Sequence, residues 1–155
     1  MRQRPSCAAA PARGFTLLEV LVSLLVFSLG VLALVAIQAT ATRMATDARE
    51  RSTATFLADQ LLARMLISDP HAAADFNHRP SGSTACSPSG PPSGNAVVSG
   101  WLGEVAAQLP NAPEGQQQVR VDAATGLVTV RLCWQNGNEA PRYLTVTNQV
   151  QWQLP

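Results

Sequence analysis

From Phe15 to Ala41 the chain is apolar with almost no interruption, and Glu19 is the only ionisable side chain in that run. The run exceeds the ~20 residues needed to cross a hydrocarbon core about 30 Å thick. Further on the pattern changes from a continuous run to a stripe. Ala54, Leu57, Ala58, Leu61, Leu62 and Met65 recur at three- and four-residue spacing, while Arg49, Glu50, Asp59 and Arg64 fall largely off that face. This is the signature of an amphipathic helix. No proline occurs between Pro11 and Pro70, and after Gly30 no glycine occurs until Gly82. The spacing therefore predicts one helix from Phe15 to about Ser68, roughly 80 Å long at 1.5 Å per residue, with Asp69-Pro70 as its stop signal. Gly30 is its weak point, at about 1 kcal/mol of helix propensity, and serves equally as a small residue for packing on a neighbouring helix.

A polar, turn-forming stretch follows from Asn77 to Gly94, dense in Pro, Ser and Gly. It has little apolar surface to bury and reads as a flexible surface loop. Trp101, Leu102, Val105, Ala106 and Leu109 then predict a short helix closed by Pro110. Alternation takes over in Gln118–Asp122, Leu127–Trp134 and Tyr143–Val150, the last extending toward Trp152, with Ala123–Gly126 and the Asn136-Gly137 segment as turns. Three such strands joined by short connections within residues 117–152 make an antiparallel meander. Its apolar face (Val119, Val121, Val128, Val130, Leu132, Leu144 and Val146) needs a cover, and the Ala54–Met65 stripe supplies one. The expected fold class is α+β: a long N-terminal helix, with a transmembrane half and an amphipathic half, packed on a small antiparallel sheet.

Length places the chain at one domain's worth of residues. The formal net charge is +1, and every basic residue other than the two histidines is Arg. Arg2, Arg4 and Arg13 precede the apolar run, so the positive-inside rule orients its N-terminal side to the cytoplasm. The remaining arginines are scattered, which argues against a charge-driven nucleic-acid surface. A secretory signal peptide is the rival reading, and Ala39 and Ala41 do form an A-x-A pattern. Against it stand the length of the run and the carboxylate inside it. A lone carboxylate near a bilayer interior costs ~2.5–3.5 kcal/mol on insertion scales and calls for a partner.

Gly14 stands directly before Phe15, with arginines upstream and Glu19 just inside the apolar run. This layout resembles the class III signal of type IV prepilins. The resemblance implies that a prepilin peptidase cuts between Gly14 and Phe15 and that Phe15 becomes N-methylated. It also implies a partner for Glu19: the Phe15 ammonium of an adjacent subunit in a fibre. Phe27–Leu34 with Ile37-Gln38, and Arg51–Met65, are similar to the PilV minor pilins, the type IV pilus modification proteins. Major pilins commonly carry a helix-kinking proline near the place where Ala36 stands here, which favours a minor subunit. On this reading residues 1–14 are a leader, 15–41 a transmembrane and fibre-core helix, 42–69 the amphipathic half and 70–155 a periplasmic head. The implied role is a minor pilin that helps prime pilus assembly and sits at or near the tip, supporting adhesion and twitching motility. Implied partners are other minor pilins, the major pilin, the prepilin peptidase, an inner-membrane assembly platform and a tip adhesin. The implied location is the inner membrane, single-pass, and then the pilus at the cell surface. A type II secretion minor pseudopilin of the GspI kind shares the same N-terminal logic. An anchored periplasmic binding or DNA-uptake module, with the head as the active part, stays open as a third class.

Cys7 lies in the leader and leaves with it, so Cys86 and Cys133 remain as an even pair in a periplasmic segment. They are read as one disulfide tying the Pro/Ser/Gly loop to a central strand, with two unpaired thiols as the alternative. Closing a loop of that length contributes roughly 4 kcal/mol in the chain-entropy model. Asp69, His71, Asp75 and His78 are the only cluster of metal-ligand residue types, but their spacing matches no zinc or calcium pattern, and capping or solvation accounts for them. No nucleophile elbow or phosphate cradle occurs, so neither enzymatic activity nor a cofactor or metal is expected. Trp101, Trp134 and Trp152 read as core or sheet-edge packing, since a stacking platform for bases would want a basic groove.

Overall fold

The computed structural model describes residue 14 and residues 16–82 and 84–151. Its elements in chain order are α1 (Leu17–Leu66), a 3-10 helix (Pro70–Phe76), α2 (Ala96–Gln108), a 3-10 turn (Glu114–Gln116), β1 (Gln118–Asp122), β2 (Leu127–Trp134) and β3 (Arg142–Gln149). The architecture is α+β and pilin-like, a long N-terminal helix whose later part packs on a three-stranded antiparallel sheet. The chain divides into two compact units, Met1–Met44 and Ala45–Pro155.

The first unit is the apolar part of α1. Thr16 caps it, with its Oγ1 accepting the Glu19 N–H at 3.2 Å and its carbonyl accepting the same N–H at 3.0 Å. Such a cap satisfies one of the orphan donors of the first turn. Every Leu, Val, Ile and Phe from Leu17 to Ile37 is exposed, Val31 the least at 42%, so this segment has no core of its own. The hydroxyls of Ser23, Ser28, Thr40 and Thr42 donate back to carbonyls one turn earlier, at 2.7–3.1 Å. Back-bonding of this kind hides polar groups within the helix and makes it a fit surface for lipid or for other helices.

The second unit holds the core. Ala54, Leu57, Ala58, Leu61, Leu62 and Met65 are the buried residues of α1, the stripe read from the sequence. They meet Val119, Val128, Val130 and Leu132 of the sheet, with Val121, Leu144 and Val146 partly buried against the same cluster. Burying a Leu or Val side chain fully is worth about 1.5–3 kcal/mol, so this stripe is the main tie between helix and sheet. The sheet order is β1-β2-β3, both pairings antiparallel, with Val119 opposite Val130 and Val130 opposite Val146. Trp101 of α2 is fully buried and donates its indole N–H to the Leu57 carbonyl at 2.8 Å, which pins α2 to α1.

Three local readings need correction. The second helix begins at Ala96, five residues before Trp101, because the Asn95 side chain accepts the Val97 N–H at 2.8 Å and caps it there. The Asp69-Pro70 stop also starts a 3-10 helix, with Asp69 Oδ1 accepting the His71 N–H at 2.9 Å. The Pro/Ser/Gly stretch is hydrogen-bonded into the unit at several points instead of standing off it. His78 forms an antiparallel bridge with Val119, Ser81 bridges Ser89, and the buried Gln118 amide donates to the Arg79 and Ser81 carbonyls at 2.9 Å each. Cys86 and Cys133 are joined in a disulfide, Cα atoms 5.5 Å apart, which fastens the loop to β2.

Candidate functional site

Of the residues singled out at the N-terminus, Gly14 is exposed with nothing within 4 Å of where a side chain would start. Phe15 lies outside the described residues. Glu19 sits in the first turn of α1, exposed, and takes part in no ion pair among the described residues. An unpaired carboxylate carried into hydrocarbon at this place costs ~2.5–3.5 kcal/mol on insertion scales. The side chain calls for a partner, and the surface beside it is made by Val20, Leu24 and Phe27 with the Ser23 hydroxyl turned back onto the Glu19 carbonyl. α1 is long and apolar enough to cross a membrane.

A second polar centre lies in the unit spanning residues 45–155 and was not legible beforehand. Glu50, on the later part of α1, accepts the Trp134 indole N–H at 2.9 Å and the Asn136 amide at 2.8 Å. Its side chain is only 11% exposed. Arg142 lies 4.0 Å from Glu50, pairs with Asp47 and donates to Glu139 at 2.8 Å. Arg51 adds a longer pair to Asp47 at 3.7 Å. The arrangement ties α1 to the β2–β3 connection, and its partial burial makes it worth more than surface ion pairs, whose median is about 0–1 kcal/mol.

The four residues with metal-ligand chemistry are placed apart in role. Asp69 caps the 3-10 helix, His71 and Asp75 are exposed, and His78 is fully buried. His78 Nδ1 accepts the Ser93 N–H at 3.2 Å and Nε2 lies 3.3 Å from the Glu114 carbonyl, so the ring proton sits on Nε2. His78 is thus a loop anchor, a role its sequence context did not reveal. Trp101 and Trp134 are both fully buried, and Trp152 lies outside the described residues.

Compared with known families, residues 10–35 match the prokaryotic N-terminal methylation motif. The matched stretch contains Gly14, Phe15, Glu19 and the apolar start of α1. It supports a type IV pilin or pseudopilin with a class III signal, held in a membrane in a pilus-assembly setting. Among curated proteins and solved structures no relative matches the chain.

Proposed function

We propose that this chain is a minor pilin of a type IV pilus, similar to PilV, made as a prepilin and built into the fibre at or near its tip. The observation that carries the reading is Glu19: a lone carboxylate at the capped start of an apolar helix whose sides are exposed all round, within a methylation motif. In this reading the N-terminus starts in the cytoplasm and the head is periplasmic. Cleavage between Gly14 and Phe15 creates a new ammonium, which is methylated, and Glu19 of one subunit receives the ammonium of the next. A pair buried among apolar helices sets registry more than it adds stability, because desolvation offsets most of the attraction. The apolar flanks then supply the cohesion and the ion pair supplies the axial position. The similarity of Phe27–Leu34 and Arg51–Met65 to PilV proteins favours a pilus subunit over a secretion pseudopilin.

The test begins with the intact mass and N-terminal sequence of the protein taken from membranes. A chain beginning at N-methylated Phe15 is expected; one beginning at Met1 or after Ala41 overturns the reading. Glu19→Ala is then expected to be inserted and processed as wild type but to be absent from sheared pili. Normal recovery of that variant in the fibre would remove Glu19 from the docking step.

A further inference from the structure

The two edges of the sheet are treated differently. At the β1 edge the His78 N–H donates to the Val119 carbonyl and the Val119 N–H donates to the His78 carbonyl, each at 2.9 Å. The Asn77 side chain accepts the Val121 N–H at 2.9 Å on the same side. That edge is closed. At the β3 edge no further strand pairs among the described residues, and β3 is the outer strand of the order β1-β2-β3.

The direction of the open groups follows from the ladder. Cys133 turns its N–H and carbonyl toward the β1 side, where both bond the Gln117 side chain. Antiparallel strands alternate, so Val128, Val130, Leu132 and Trp134 turn theirs toward β3, where they face Asn148, Val146, Leu144 and Arg142. Tyr143, Thr145 and Thr147 are left with N–H and carbonyl groups directed outward. The devices that usually protect such an edge are missing: from Tyr143 to Gln149 there is no charge and no proline. Threonines, Val and Tyr there are good strand formers.

Charge says what would fit. Arg131 of β2 reaches across β3 on the outer face, its Nε donating to Thr145 Oγ1 at 3.2 Å and its guanidinium 5.9 Å from the Tyr143 ring centroid. It enters no ion pair among the described residues. A fourth strand would lie about 4.8 Å beyond β3, with a side chain opposite Thr145 beside that guanidinium. A second copy of β3 brings no carboxylate to this place, since Arg142–Gln149 contains neither Asp nor Glu.

We propose that the open edge of β3 takes up an extended segment of a different protein as a fourth strand, with an acidic side chain of that segment seated on Arg131. Main-chain bonds from Tyr143, Thr145 and Thr147 give the affinity, and the Arg131–carboxylate contact gives the register. The inference rests on the sheet alone, so its failure would leave the reading of Glu19 standing.

The test places a photo-crosslinking residue at Thr147 of the full chain in the cells that make it, and identifies the linked peptide by mass spectrometry. The expected product is an adduct to another protein at an extended segment with Asp or Glu within two residues of the link. Arg131→Gln is expected to reduce that adduct about tenfold, the loss of one charge-assisted bond. Thr145→Pro, which removes an outward N–H without touching the β2 ladder, is expected to abolish it. Should Thr145→Pro misfold, Arg131→Gln on the exposed face decides alone. Adducts to a second copy of this chain, adducts indifferent to Arg131→Gln, or no adduct at all would each overturn the proposal.

Discussion

Gln117 is fully buried, yet it belongs to no strand. Its amide nitrogen donates to the Cys133 carbonyl at 3.0 Å and its oxygen accepts the Cys133 N–H at 2.9 Å. One side chain thereby stands in for the main chain just ahead of the point where β1 begins. Gln117→Leu keeps the volume but strands two buried backbone groups, each costing ~1–3 kcal/mol. A loss of ~2–4 kcal/mol in urea unfolding of the full chain in detergent is the expected result, and a change below ~0.5 kcal/mol would show that water replaces the amide. Such residues leave no trace in a hydrophobic pattern. For Gln117, Gln118, His78 and Glu50 the pattern carries no signal, because each has a partner 16–86 residues away in the chain.

At the scale of elements, periodicity served well where burial is periodic. The apolar stripe of α1 and the alternation of all three strands were legible because each presents one face to one core. Beginnings governed by a single cap were less so, as with Asn95 ahead of α2, where a Pro/Ser/Gly stretch masks the signal. Of the candidate site, Glu19 and the cysteine pair could be picked from the chain, while the Glu50 centre could not. The β1–β2 turn offers a test of local chemistry. Asp122 accepts the Ala124 N–H at 3.0 Å, and the Thr125 hydroxyl, followed by that N–H, holds its carboxyl below the usual value. Because the folded-state value is the lower one, the turn's contribution is complete above the ordinary Asp range and fades as pH falls through the folded value. Thermal unfolding followed below about pH 4 should therefore lose part of its acid dependence in Asp122→Asn. Identical profiles for the two proteins would mean that the turn holds without the charge.

For the whole molecule, the 47-residue separation of Cys86 and Cys133 makes the disulfide the longest covalent constraint on the loop. Replacing both with Ser is expected to cost roughly 4 kcal/mol in the chain-entropy model, read as a lower urea midpoint against a matched wild type. An unchanged midpoint would show that the His78 and Gln118 anchors suffice without it. Those same anchors have a further effect, through the edge they close. Because the segment around His78 occupies the β1 side, the sheet has a valence of one among the described residues. An accidental pairing of two copies through β3 therefore ends as a closed pair, with both β1 sides already occupied and no sticky end left over. By sealing one side, a buried histidine in a surface loop makes this sheet a terminus and denies it the repeat on which runaway fibrils depend.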